Sequence, residues 1–551
     1  MRYAEYAQGE GLNWWETDRN LKRTVARYCT PEMFRWAEPH LHEFGRFCGT
    51  EVSPRADYTD RPEGRPRLIS YDRQGEEISQ VVYNPGYLAT VAGTYGRGIV
   101  AWRHRAPDGV PGGGPVAPAV TYAMGYMLSM AEAGFYCPVV LTAATALVLD
   151  RFAPAGVRDR FLPLVTATEP HSLRQGATWL TEKTGGSDVG AITTAARQEG
   201  DTWRLTGEKW FASNADAPVA LALARPEGAS PGTAGLALFL VPRTLPDGRR
   251  NSYRIRRLKE KLGVIAVPSG EVLLEGAEAF LISGPGTGFK HMMEAINLSR
   301  VMNAIGSAGI ARRAFLEAVI YTSHRVAFGR PLNQHPLMRV RLLHMLLDLE
   351  AMTALAFRAA DSLEKGEPFH RALIPIAKAR TADRAVQIAR AALECFGGNG
   401  YIEEYVMARL LRDAQVLTVW EGPENVLALD LLRMLAKQGP ADFVAEVESR
   451  LAAVPPGDKA LILERLDGVH TMMGAMVAAG GDYAQVQAVR LMNQMADLLS
   501  AAYLLEEAQT DPHKREVALL FVERLSPQPA AGISAFDRAA VERFEQIVEG
   551  V

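Results

Sequence analysis

The hydrophobic period of this chain changes twice, and the order of those changes limits the folds open to it. Over residues 1–175 apolar side chains recur mainly at the spacing of amphipathic helices. From Gly176 to Ser283 short apolar runs at 202–206, 219–224, 235–241 and 270–274 alternate with turn residues, which is a strand pattern. Beyond Gly284 the helical spacing returns in long segments, 289–321, 337–363 and 374–396, with Leu342, Met345, Leu346 and Leu349 on one seam. The expected fold class is α+β. An N-terminal helical domain with an extended arm occupies 1–175, a β domain 176–283, an antiparallel helical bundle 284–440 and an additional C-terminal helical segment 441–551. Irregular stretches are expected at 52–87, at 107–115 with its consecutive Gly112, Gly113 and Gly114, at 455–457 and at 526–532.

Lys and Arg number 60 against 63 Asp and Glu, so no global basic excess points to nucleic acid. The charge is unevenly spread: residues 441–551 carry 17 acidic and 9 basic side chains, whereas residues 1–440 carry 46 and 51. The four cysteines form no CxxC pair, which argues against a zinc site or a disulfide framework and fits a reducing cytoplasm. No metal site is expected. The N-terminus lacks the apolar core of a signal peptide. The most membrane-like stretch, 133–149, is short and contains Pro138, so it reads as a buried helix rather than a span.

Several catalytic signatures are missing. There is no GxxxxGK[ST], no HExxH, no nucleophile elbow, and the glycines at 284–288 do not follow a βαβ pattern. Four short constellations remain. In TEKTGGSDV (181–189) a Gly-Gly turn flanked by hydroxyls offers backbone N–H groups and Ser187 to a pyrophosphate and Thr181 to a planar ring; the simpler reading is a β-turn. In EKWFASN (208–214) the aromatics and Ser213 form either strand core or a wall against a ring. In RVAFGRPL (325–332) Arg325 and Phe328, three apart, would share a helix face and clamp a phosphate and a base; otherwise they mark a helix C-terminus. From FGGNGY (396–401) to WEGPEN (420–425), glycines permit close backbone approach, and Glu421 precedes a helix beginning near Pro423.

In this order and on this architecture the motifs resemble the acyl-CoA dehydrogenase family across residues 130–435. The long N-terminus with Tyr71-Asp72-Arg73, the QHPLMR run at 334–339 and the extra segment after residue 440 are similar to the AidB-like subgroup, flavoproteins linked to the response to DNA alkylation. The resemblance implies a helical domain, a β domain and a four-helix bundle, bound FAD, a homotetramer and an electron-transfer flavoprotein as acceptor. It implies that Thr181 bonds the flavin ring and Ser187 the pyrophosphate, and that Phe211 and Ser213 stand at the flavin. Arg325, Phe328, Gly397 and Gly398 would reach FAD bound largely by a neighbouring subunit. Glu421 would be the catalytic base and Arg300 an arginine near the active site; Ser299 stands where one relative carries its base. Pro336, Glu394 and Pro423 each replace a polar side chain common in the family, and residues 264–268 lack its usual Arg or Lys.

The implied reaction is α,β-dehydrogenation of an acyl-CoA thioester. Glu421 would take the α-proton and flavin N5 the β-hydride, in a dry pocket that raises the carboxyl pKa and that Trp420 helps to close. The alternative is a DNA-binding protein of the alkylation response with little turnover, for which the acidic segment is unsuited and the basic run from Arg249 to Lys261 is the densest candidate surface. A flavin oxidase, or a dehydrogenase of a non-CoA substrate, is the third reading.

Overall fold

The computed structural model describes residues 3–526 and 534–550. The chain packs into two compact units that are interleaved in sequence, one formed by 1–50, 117–131 and 300–551, the other by 51–116 and 132–299. Beyond Ser526, the loop expected at 526–532 lies outside the described residues.

The second unit is built on strands. Strand β1 (Arg67–Tyr71) pairs with β2 (Glu77–Val82) as a hairpin. The main sheet comprises β3 (Gly176–Trp179), β4 (Ala195–Glu199), β5 (Thr202–Ser213), β6 (Val219–Pro226), β7 (Ala237–Pro242), β8 (Tyr253–Leu258) and β9 (Ser269–Ser283). Its order is β3-β6-β4-β5-β9-β7, and a further β6–β7 pairing closes the ring. Closure depends on the long β9, which shifts register against β5, β7 and β8 and so turns the sheet. The interior takes small residues from β6 (Ala220, Ala222, Ala224) beside Trp179, Leu205, Phe239 and Val272. The apolar helix Ala133–Phe152 packs within this unit, with 89% of its most apolar window buried. Its Thr142 hydroxyl accepts from Gly176 N at 3.0 Å, and a Cβ on Gly176 would lie 2.4 Å from Thr145 Oγ1, so only glycine fits there.

Residues 52–87 are not the irregular stretch expected from their Pro and Arg content. They hold the helix Ser53–Asp60 and the β1–β2 hairpin, whose Ser79 hydroxyl accepts from Ile255 N at 3.1 Å and so ties it to β8. Exposed alternate positions along β1 hid the strand period. The run at 455–457 is likewise no loop, because Pro456 is the first residue of the helix Pro456–Ala479, where its missing N–H costs nothing.

The first unit is helical. His370–Cys395 packs on Pro336–Lys365, Val406–Leu417 and Glu424–Gln438, and the later part of Gly288–His324 joins them through Asn303 Nδ2 to Leu417 O (3.4 Å) and Tyr321 OH to Phe396 O (3.4 Å). The N-terminal arm belongs to it: Trp14 and Trp15 are fully buried, and Asp18 meets the buried Arg312 at 3.1 Å. The C-terminal segment docks through Gly481–Ala508, which packs on Pro336–Lys365, His370–Cys395 and Glu424–Gln438. Ion pairs fasten it: Glu446 to Arg358 (3.1 Å), Asp497 to Arg380 (2.5 Å), Asp511 to Arg23 (3.1 Å) and Lys514 to Glu350.

Candidate functional site

Glu421 and Gly422 sit in the turn between Val406–Leu417 and Glu424–Gln438, with φ of +54° and +105°. A left-handed glutamate costs about 1–3 kcal/mol, so the surroundings must impose it. They do so from two helices. Arg300 Nε donates to the Glu421 carbonyl (3.0 Å) and Lys378 Nζ to the Gly422 carbonyl (2.8 Å). The carboxylate itself accepts from Asn303 Nδ2 at 2.7 Å, and the Asn303 amide oxygen accepts from Ser307 Oγ at 3.3 Å. Arg300 and Asn303 are three apart on Gly288–His324 and therefore present one face. Arg300 is neutralised by Asp430 at 3.0 Å. Burial pushes the Glu421 carboxyl above its ordinary value, while Lys378, Asn303 and Arg300 pull it down. Burial lowers the Lys378 ammonium to about 8. Ser299 is buried and its hydroxyl donates to Ala295 O at 3.0 Å, so it is spent within its own helix.

In the second unit, the turn after β3 is anchored by a buried ion pair. Glu182 accepts from Lys209 Nζ (2.7 Å), Thr193 N (2.6 Å), Thr193 Oγ1 (2.9 Å), Thr194 N (3.2 Å) and Thr194 Oγ1. Burial opposes ionisation of Glu182, but Lys209 and these donors outweigh it and hold the carboxyl at about 2. The turn is a genuine β-turn, with Gly185 N donating to Glu182 O at 2.9 Å, and Trp210 N donates to Thr181 O at 2.9 Å. A Cβ on Gly186 would come 2.6 Å from Thr181 Oγ1, so glycine leaves that hydroxyl its room. Ser187 is exposed. Phe211 is 57% exposed, at an irregularity of the β5–β9 pairing, which excludes the strand-core reading. Ser213 Oγ lies 3.4 Å from Ser269 Oγ. Three hydroxyls, an open aromatic face and a glycine turn form a donor set that fits the ring and pyrophosphate of FAD.

Arg325 and Phe328 do not share a helix face, contrary to expectation. The helix ends at His324, and residues 326–331 form a minimal hairpin with Phe328 and Gly329 at its tip. Both tip residues have positive φ (+52° and +80°), as a two-residue primed turn demands. Phe328 is thereby 96% exposed. Gly397 (φ +59°) and Gly398 are also exposed, and nothing within 4 Å would meet a Cβ on either. Of the substituted positions, Pro336 opens its helix, Pro423 stands at the N-terminal boundary of Glu424–Gln438, and Glu394 pairs with Arg341 and with Arg390 (3.2 Å).

Sequence reasoning missed Asn303, Lys378, Asp430 and the Glu182–Lys209 pair. The signals were present. Lys209 falls on the inward alternation of β5 with Leu205, and Lys378 interrupts the apolar run 372–379. The basic run from Arg249 to Lys261 is largely neutralised: Arg254 meets Glu275 (3.3 Å), Arg256 meets Glu208 (3.0 Å), and Arg257 and Lys259 meet Glu271 (2.7 Å each). Among the described residues no group of three or more His, Cys, Asp or Glu could hold a metal ion.

This architecture, with a carboxylate on a strained turn of the bundle, is matched by known families along most of the chain. Residues 177–277 match the acyl-CoA dehydrogenase middle domain and 286–436 its C-terminal domain. The chain belongs to the acyl-CoA dehydrogenase family, whose members are flavoproteins. Within it the chain falls with the AidB-like proteins: residues 6–169 match the N-terminal domain of the adaptive response protein AidB. It is 36% identical to AidB of Escherichia coli over 435 residues, 76% of this chain and 78% of that one. It is 31% identical to acyl-CoA dehydrogenase family member 11 of Caenorhabditis elegans, over 77% of this chain and 71% of the relative. The crystal structure of C. elegans ACDH-11 in complex with C11-CoA superposes with a TM-score of 0.85 at 28% identity, covering 98% of this chain and 96% of that one.

Proposed function

We propose that the protein is an FAD-dependent acyl-CoA dehydrogenase in which Glu421 abstracts the α-proton of the thioester. The observation that carries this reading is the Glu421 clamp: a carboxylate held on a left-handed turn by Arg300 and Lys378 and aimed by Asn303 at 2.7 Å. When bound, FAD supplies the hydride acceptor at N5. Thr181, Ser187, Phe211 and Ser213 would hold it, with Arg325, Phe328, Gly397 and Gly398 reaching the cofactor of a neighbouring subunit in a homotetramer. The α-proton of a thioester is weakly acidic, so a carboxylate of ordinary basicity is a poor match. Burial raises Glu421 toward that acidity, and the Glu421 N–H is the donor we assign to the thioester carbonyl as enolate charge develops. Arg300 acts through the backbone, holding the Glu421 carbonyl while Asp430 takes its charge.

The reaction needs the ionised carboxylate. Reduction must therefore rise with pH through the Glu421 value, with an acid limb above the ordinary glutamate range of about 4.3. The deciding experiment is anaerobic titration of the purified protein with a panel of acyl-CoA thioesters, followed by bleaching of the flavin band. Glu421→Gln should keep its FAD and lose bleaching; normal bleaching in that variant refutes the assignment. The DNA-binding alternative gains nothing from the paired basic run.

A further inference from the structure

We propose that Lys378 is a positioning residue for Glu421: its Nζ, 2.8 Å from the Gly422 carbonyl, holds the left-handed turn from inside the bundle and sets a buried positive charge against the carboxylate. The inference rests on Glu421 being the base and adds what keeps that base usable.

The position of Lys378 is costly. The residue is fully buried, on a helix face shared with the buried Ile374, Pro375, Thr381 and Ala382. Desolvating an ammonium costs several kcal/mol unless a charge or hydrogen bonds offset it. Its one hydrogen bond among the described residues is to the Gly422 carbonyl. A neutral donor would serve as a mere tether, so the charge needs its own explanation. The titratable and charged groups around the turn are Lys378 from His370–Cys395, Arg300 from Gly288–His324, and Asp430 from Glu424–Gln438. Arg300 already has a counter-ion in Asp430, at 3.0 Å. The acid that acts on Lys378 is Glu421, and Lys378 is the leading charge that opposes the burial of Glu421. The two charges therefore act on each other across the turn whose Gly422 carbonyl Lys378 holds. Without Lys378 the carboxylate would hold its proton to higher pH, and the Gly422 carbonyl would lose its donor.

The test replaces Lys378 by neutral residues, Lys378→Met and Lys378→Gln, in the FAD-loaded protein, and follows the pH dependence of flavin reduction under anaerobic acyl-CoA. The acid limb should move up by about one pH unit or more, and the rate below the limb should fall about tenfold or more. Lys378→Arg, which keeps the charge, should restore the limb toward wild type. An unmoved limb in the neutral variants overturns the proposal, while loss of bleaching in Glu421→Gln leaves the base assignment standing. Normal bleaching in Glu421→Gln would overturn both. A reciprocal measurement needs no change at position 378. In protein labelled with 13C at lysine Cε, one lysine should titrate near 8 and shift lower in Glu421→Gln. If no lysine resonance responds to that substitution, the coupling does not exist and the proposal fails, even where neither neutral variant folds.

Discussion

Replacing Lys209 by Met tests whether the turn proposed to hold the cofactor is held by charge or only by backbone pairing. Methionine keeps most of the side-chain volume, so the change removes the ammonium rather than the packing. Lys209 is fully buried and Glu182 is 2% exposed, so solvent does little to screen the pair. Glu182 is held at about 2. Set against about 4.3 for a glutamate in the unfolded chain, that is about 2 pKa units, or about 3 kcal/mol of stability at neutral pH. The donors from Thr193 and Thr194 survive the substitution, and the loss of the counter-charge leaves a buried carboxylate, so the expected cost is about 2–4 kcal/mol. For a unit of this size, that lowers the melting temperature by about 5–15 °C. The assay is thermal unfolding by circular dichroism at pH 7, repeated in steps down to about pH 2 so that the series spans the titration of Glu182, with bound FAD measured on the same samples. The sign is fixed by the depressed carboxyl. Its stabilisation is present above the unfolded glutamate value and fades as pH falls toward the folded value. The gap between wild type and variant should therefore narrow as the pH drops below about 4.3. The variant should also lose FAD, because the turn carrying Thr181 and Ser187 is moored to Glu182. A variant that melts within 2 °C of wild type at pH 7 by this reasoning (roughly 0.5–1 kcal/mol), or that shows a pH-independent gap, would refute it.

Two other substitutions separate structural from functional roles. Arg358→Met removes a buried guanidinium that joins Glu446 (3.1 Å), Glu367 (2.5 Å) and Asp361 (3.1 Å). It should destabilise the docking of the C-terminal segment by about 3–5 kcal/mol, read as faster proteolysis near residues 438–441; an unchanged cleavage rate would count against ion-pair docking. Phe328→Ala removes a ring that is 96% exposed in the single chain, so thermal stability of the subunit should not fall. Flavin content and the mass in light scattering should drop instead, and retention of both would remove Phe328 from the cofactor and subunit contacts.

The helices of the bundle were legible because their apolar seams are long and few breakers interrupt them: the expected 337–363 and 374–396 became Pro336–Lys365 and His370–Cys395. The sheet was legible at its apolar strands, but not in the length of β5 and β9, because bulges and polar outward positions break their alternation. The β1–β2 hairpin was hidden by its surface position. At the site, Glu421 could be named from the motif around it, whereas Lys378 and Asn303 could not. They come from helices distant in sequence, and what makes them functional is the carbonyl or carboxylate that each one meets. Phe328 shows the converse. Its spacing from Arg325 suited a helix, yet Gly329 and Pro331 favour a tight turn and carry the ring into the open.

The uneven charge of the sequence has a structural use that composition alone does not reveal. An acidic segment following a basic one invites a reading in terms of partners, and nucleic acid was the natural one to weigh. Instead, carboxylates of residues 441–551 meet cations elsewhere in the same unit: Glu446 with Arg358, Asp497 with Arg380, Glu507 with Arg27 at 3.7 Å, and Asp511 with Arg23. Several of these partners are substantially buried, where removing one member costs far more than at the surface. The same principle operates at Glu182–Lys209, where one buried charge fixes the turn that bears the cofactor candidates, and at Lys378, where one buried charge stands behind the proposed base. Charge in this protein is thus spent on internal contacts, and the basic run of β8 fits the pattern, since Glu208, Glu271 and Glu275 absorb it. Phosphate binding would have to break those pairs before it could form its own.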